Sequence, residues 1–220
     1  MSSSPPSNLT ITVMLVDDHP VVLDGYRRLL QTTPDIRVTA EADNGETARA
    51  LYGQCQPDVV VLDLSMPGIG GLETIRRIKA LDAKAHILVF TMHDSETLIL
   101  RSLEAGATGY LTKQSGVGQM VEAVRQVAQG KAFIGSAHVS KMINQQIVGS
   151  AEDPLRLLSK REFQIFQLLA EGNSVNDVAT MLFISPKTVG VHHANIMKKL
   201  KLDNSTQLVR LALRCNVIQP

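Results

Sequence analysis

Cysteine is almost missing from this chain: Cys55 and Cys215 stand alone, in no Cys-x-x-Cys or Cys/His cluster. That excludes a disulfide framework and a zinc site, and leaves both as small, half-buried apolar side chains. Long apolar runs are missing too, since none approaches the roughly 18 residues a membrane helix needs. The opening residues, Met1-Ser-Ser-Ser-Pro-Pro-Ser7, lack a basic stretch followed by an apolar block. The expectation is a cytoplasmic protein with no membrane partner. Internal repeats and low-complexity tracts are absent as well.

What is present is ordinary globular composition, 220 residues with 44% hydrophobic and 20% charged, a length that suits two modest domains. The net charge of +1 hides a division. Residues 1–154 carry 13 basic against 17 acidic residues, a net of −4, whereas 155–220 carry 9 against 4, a net of +5. A small basic domain behind a larger acidic one points to nucleic acid at one end only.

After a polar tail over 1–9, Val- and Ile-rich runs alternate with helix-period segments, the pattern of a parallel sheet. Five repeats are expected: strands near Ile11–Asp17, Arg37–Ala42, Asp58–Leu64, His86–Thr91 and Gly109–Thr112, each followed by a helix, the last ending near Gly130. The third strand is the most apolar and therefore central. Periodicity weakens over 131–154, where a helix over Ala137–Ile147 fits and Gly149–Pro154 breaks the chain; this is the expected linker. Residues 155–220 are wholly helical, with helices near Lys160–Glu171, Val175–Leu182, Pro186–Leu200 and Ser205–Arg214. The fold class is thus an α/β domain over 10–130, a five-stranded, doubly wound parallel sheet, plus a small all-α domain.

In such a sheet functional groups gather at the carboxyl ends of the strands. Strand one ends in Asp17-Asp18, strand three in Asp63, strand four in Thr91, and Lys113 follows strand five. Three carboxylates in one crevice repel unless a cation joins them, and hard oxygen ligands suit Mg²⁺. An Asp nucleophile beside a metal, an ammonium and a hydroxyl donor is the equipment of phosphoryl transfer. Taken singly, each residue has a plainer role: Asp17-Asp18 as a helix cap, Asp63 as a strand end, Lys113 as a surface charge, Tyr110 as core. Their occurrence together and in order favours the site.

Leu15-Val-Asp-Asp-His-Pro20, Val61-Leu-Asp-Leu-Ser-Met-Pro-Gly68, Phe90-Thr91 and Gly109-Tyr-Leu-Thr-Lys113 resemble the receiver domain of two-component response regulators. The resemblance covers about residues 10–130. It implies that Asp63 is the phosphoacceptor, and that Asp17, Asp18, Asp63 and the Ser65 carbonyl hold Mg²⁺. It further implies that Lys113 and Thr91 bind the phosphoryl group, and that Tyr110 turns inward on activation. Many receivers follow the Lys with a cis proline; here Gln114 follows, and the cost of a non-proline cis bond, about 2.5–4 kcal/mol, predicts trans geometry.

In the helical domain Ser159 precedes an apolar-periodic run and Gly172 ends it, Ser174 caps the next helix, and Ser185-Pro186 starts a third. Two short helices joined by a tight turn, the second basic, describe a helix-turn-helix. Leu158-Ser-x-Arg-Glu162, Glu171-Gly-x-Ser174, Val178-Ala179, Leu182-x-Ile-Ser185, Lys187-Thr-Val189, His192 and Lys199-Leu200 resemble the DNA-binding domain of NarL/FixJ, or LuxR-type, regulators. On the helix from Pro186, the face with Val189, His192, Ile196 and Leu200 is assigned to the core. Lys187, Thr188, Val191, Ala194, Asn195 and Lys198 are then the DNA-facing set. Gly190 and Ala194 stand where relatives often carry basic residues, which predicts weaker, less salt-sensitive binding per monomer. The resemblance places the last helix at a dimer interface, with Leu208, Leu211 and Ala212 as candidates.

The reading that follows is a DNA-binding transcription factor, phosphorylated on Asp63 by a sensor histidine kinase and a homodimer when phosphorylated. It is not an enzyme, apart from its own phosphotransfer and dephosphorylation. A small-molecule phosphatase with an Asp nucleophile would usually carry a second acid two residues on, where Ser65 stands. A phosphate-independent regulator or protein-binding adaptor would usually have lost Asp63, Lys113 or one of the acidic pair, and none is lost.

Overall fold

The computed structural model describes residues 10–135 and 153–218. The polar tail, the helix expected over Ala137–Ile147 and most of the expected linker lie outside the described residues. Contacts divide the described chain into two units: residues up to Met92 with Ser102–Gly135, and His93–Arg101 with the C-terminal helices.

The first unit is built on a parallel sheet whose strands are β1 (Ile11–Val16), β2 (Ile36–Ala42), β3 (Val59–Leu62), β4 (Ile87–Thr91), β5 (Gly109–Thr112) and β6 (Phe133–Ile134), in the order β2-β1-β3-β4-β5-β6. Val59–Leu62 is buried at every position, as expected for a strand covered on both faces. Side chains alternate: Val13, Leu15, Val59, Val61, Leu88 and Phe90 pack with Leu30 of α1 (Pro20–Gln31) and with Met120, Ala123, Val124 and Val127 of α5 (Val117–Ala128). Met14, Val60, Leu62, Ile87 and Val89, at the intervening positions, are fully buried. Helices α2 (Gly45–Cys55) and α3 (Gly71–Leu81) pack against each other, and Tyr52 of α2 donates to Asp82 at the end of α3 at 2.7 Å.

The sheet has one strand more than the five expected. Phe133 and Ile134 pair with Gly109 and Tyr110, just after Gly130 takes a left-handed φ of 72°, so the chain turns back to the sheet edge. Two residues are too short a run for period-two alternation to reveal. The expected third strand, Asp58–Leu64, contracts to Val59–Leu62; Asp63 keeps one backbone bond, to Val16, and Leu64 enters the loop beyond it.

Among the described residues of the second unit beyond residue 152, a 3₁₀ turn, Pro154–Leu157, is followed by α6 (Lys160–Ala170), α7 (Val175–Leu182), α8 (Pro186–Leu200) and α9 (Ser205–Arg214). Their starts are fixed by side-chain caps. Ser159 and Glu162 form a reciprocal capping box on α6, as do Ser174 and Asp177 on α7. Ser185 caps α8, with Pro186 in its first turn, and Asn204 caps α9. His93–Arg101, which carries the first turns of α4 (Glu96–Ala105), belongs to this unit. Its Arg101 is buried, donates to the carbonyls of Leu155 and Leu158 at 2.8 and 2.9 Å, and lies 3.9 Å above the Phe163 ring. A guanidinium taken out of water is tolerated here because hydrogen bonds and a π face replace its hydration.

Candidate functional sites

In the first unit the acidic crevice forms where the strand order reverses, between β1 and β3. Backbone bonds carry the ladder one residue past the strands: the Asp17 amide donates to the Ala42 carbonyl at 3.0 Å, and the Asp63 amide to Val16 at 2.9 Å. Lys113 is fixed the same way, its amide donating to Thr91 at 2.8 Å. Asp17, Asp63 and Thr91 are all buried, and the Lys113 side chain is 8% exposed.

The Lys113 ammonium donates to Asp17 Oδ2 at 2.5 Å and to Asp63 Oδ2 at 2.7 Å. Burial alone would lower its pKa, but the Asp63 charge and the hydrogen bonds it donates to both carboxylates outweigh that and raise it. Asp63 Oδ1 accepts from the Ser65 amide at 3.2 Å. Asp17 Oδ1 accepts from the His19 amide at 2.9 Å, at the start of α1. Asp18 Oδ1 is buried with no hydrogen-bond partner, although His19 Nδ1 lies 2.9 Å away. A buried carboxylate oxygen without a donor fits a cation, and the Asp17, Asp18 and His19 ligand atoms lie within 4.8 Å of one another. Oxygen ligands suit a hard ion such as Mg²⁺.

Tyr110 is fully buried on β5. The peptide bond between Lys113 and Gln114 is trans, since the described residues contain no cis bond. Two glycines serve the loop that follows Asp63: Gly68 takes a φ of 84°, and a Cβ on Gly71 would lie 2.5 Å from the Asp63 carbonyl oxygen. The Pro67-Gly68 pair signals the turn in sequence, whereas the need for Gly71 shows only in three dimensions.

In the second unit α8 is held by its cap and by a brace from α6. Ser185 accepts from the Thr188 amide at 3.1 Å. Lys199 donates to Glu162 at 2.6 Å. Glu162 is buried; burial raises its pKa, but Lys199 and Ser159 outweigh this and bring it down to about 2. The periodicity of α8 places its faces as expected for Val189, Ile196 and Leu200, which are buried, while His192 is half-buried. Lys187, Thr188, Val191, Ala194, Asn195 and Lys198 are all exposed, and so is Gly190.

Sequence reasoning misplaced the outer side of α9. Leu208, Leu211 and Ala212 are buried inside the helical unit, where α9 packs on α6. As a protomer's own core they present no surface to a second copy. The exposed residues of α9 are Ser205, Thr206, Arg210 and Arg214, with half-buried Val209 and Leu213 beside them. The apolar period of a helix marks a packed face without saying whether its own chain or a partner covers it. Among the described residues no helix is long and apolar enough to cross a membrane.

Residues 13–125 match the family of the response regulator receiver domain, and residues 156–212 match the bacterial regulatory proteins of the luxR family. The chain is 39% identical to the response regulator UvrY of Escherichia coli, over 94% of this chain and 96% of that one. It is 35% identical to the response regulator GacA of Pseudomonas aeruginosa, over 94% and 98%. Among solved structures, RcsB from Salmonella enterica serovar Typhimurium, bound to promoter rprA in the presence of the phosphomimetic BeF3-, superposes with a TM-score of 0.73 at 26% identity, over 92% of this chain and 98% of that one. The order of receiver and luxR-family segments, and the length over which UvrY aligns, make this chain a two-component response regulator with a LuxR-type DNA-binding domain.

Proposed function

We propose that Asp63 is the phosphoacceptor of this regulator and that its phosphorylation controls DNA binding by α8. The observation that carries the reading is the buried Asp63 carboxylate sharing the Lys113 ammonium with Asp17 at the point where the strand order reverses. An Asp63 oxygen attacks phosphorus and forms an acyl phosphate. The bond from phosphorus to the donor, the imidazole nitrogen of a sensor histidine kinase or the carboxylate of a small acyl phosphate, breaks and its electrons leave with the donor. Lys113 then pairs with the phosphoryl oxygens, and the Thr91 hydroxyl donates to them. Asp17, Asp18, Asp63 and the Ser65 carbonyl would hold Mg²⁺, which supplies the positive charge that offsets the crowded anions. Hydrolysis by water returns Asp63 to its carboxylate and releases inorganic phosphate.

The phosphoryl group adds charge at a buried crevice, the kind of local change that biases a two-state domain. Tyr110, two positions along β5 from Thr112, is the aromatic placed to follow that bias. The DNA-facing set is Lys187, Thr188, Val191, Ala194, Asn195 and Lys198, with a dimer formed through the outer side of α9. The test is mass and sedimentation of the full chain with Mg²⁺ and acetyl phosphate, beside Asp63→Asn. One added phosphoryl group and a shift toward dimer in the wild type alone are expected. An unchanged wild-type mass would overturn the reading.

A further inference from the structure

The exposed stripe of α8 carries a pattern of chemistry that says which base edges it suits. Lys187 and Lys198 stand near its ends, eleven residues and so about 16 Å apart along the axis. An ammonium near each end of the stripe suits the phosphates that flank the major groove. Between them the stripe is nearly free of polar groups. Val191 is 56% exposed, Ala194 is exposed, and the Thr188 hydroxyl is engaged by Ser185 Oγ at 2.8 Å. Gly190 on the flank adds nothing, and a Cβ there would meet open space. The one amide is Asn195.

We propose that this helix reads its half-site through thymine methyl groups, packed against Val191 and Ala194, with Asn195 on a neighbouring adenine. The inference rests on the proposed role of α8 in DNA binding and names the base chemistry that α8 selects. The physical reason is a mismatch of alternatives. Guanine offers O6 and N7 acceptors to the groove and cytosine an N4 donor, and an apolar surface over them strips water without replacing the bond. The thymine methyl is the apolar group a standard base pair presents there, and adenine is the base that an amide bonds through N6 and N7.

The experiment selects duplexes from a random pool with the full chain in Mg²⁺ and acetyl phosphate. It then replaces each thymine of the enriched site by deoxyuridine, which removes only the methyl. About fourfold weaker binding is expected for each contacted methyl removed. In Val191→Ala the same replacement at the thymine facing residue 191 should lose most of its effect. Equal affinity for the thymine and deoxyuridine sites would overturn the inference. So would a site in which replacing guanine by 7-deazaguanine is what weakens binding. Salt-dependent binding to every duplex with no enriched sequence would overturn it and leave the DNA-binding reading intact, whereas no binding to any duplex would overturn both.

Discussion

The Lys113 ammonium is shared between Asp17 and Asp63, at 2.5 and 2.7 Å from their carboxylates. All three side chains are nearly sealed from water, at 8%, 8% and 3% exposure, so the cation is the counter-charge for two buried anions. Removing it leaves like charges facing each other in a site of low polarisability. Lys113→Ala should cost about 3 kcal/mol of stability in the presence of a chelator. Mg²⁺ should recover much of that, because a ligand that binds the folded form alone stabilises it. Thermal unfolding with chelator and with Mg²⁺ checks this: the gain on adding metal is larger in the variant than in the wild type. Phosphorylation by acetyl phosphate should fall at least about tenfold in the same variant, since the proposed donor to the phosphoryl oxygens is gone.

Gly71 starts α3 directly under the loop that carries Asp63. A Cβ there would sit 2.5 Å from both the Asp63 carbonyl oxygen and the Leu64 Cα, which are backbone atoms that cannot swing aside. Gly71→Ala is expected to destabilise by about 1–3 kcal/mol and to slow phosphorylation, because the loop moves with Asp63. Gly53 in α2 is the control: nothing lies within 4 Å of a Cβ there, and Gly53→Ala should stabilise by about 0.5–1 kcal/mol. Chemical denaturation of both variants beside phosphorylation rates separates the two effects.

The acidic crevice was legible in the sequence because strand ends in a parallel sheet converge, and Asp17, Asp63, Thr91 and Lys113 each close or follow an apolar run. The helix-turn-helix was legible because Ser159, Ser174 and Ser185 cap helices in the order their spacing announces. What escaped depends on contacts across long separations. Arg101 meets the Leu155 and Leu158 carbonyls from more than fifty positions away, and no local pattern in α4 marks an arginine that will be buried. Leu208, Leu211 and Ala212 show the complementary failure: their period announces a packed face and leaves open what packs on it.

Glu162 joins two tasks, accepting from the Ser159 amide at the start of α6 and from Lys199 near the end of α8. Its pKa is brought down to about 2 from an ordinary 4.5. A depressed carboxyl pKa contributes stability that is fully present above 4.5 and is lost as pH falls toward 2. Glutamine at this position keeps the capping geometry and removes the charge. Glu162→Gln is therefore expected to cost about 1 kcal/mol near neutral pH and to flatten the acid limb of stability between pH 4.5 and 2. Lys199→Met should raise the Glu162 pKa toward the ordinary value, which an NMR titration of its side-chain carboxyl in the full chain reads directly.

Gly190 lies on the exposed flank of α8 with open space where a side chain would stand. In the interior of a helix it costs about 1 kcal/mol relative to alanine, and in the proposed complex it leaves the phosphate wall beside it without a cation. Gly190→Lys is expected to correct both. The helical unit should gain a little less than 1 kcal/mol, as lysine is a slightly weaker helix former than alanine. DNA affinity should rise and fall off more steeply with salt, by about one unit in the slope of log affinity against log salt concentration for each added phosphate contact. The gain should be the same on enriched and unrelated duplexes, because a phosphate contact carries no base information. Fluorescence anisotropy of the phosphorylated full chain across a salt series measures the slope. A variant with tighter binding but an unchanged slope would place residue 190 off the phosphate wall and redirect attention to helix stability as the source of the gain.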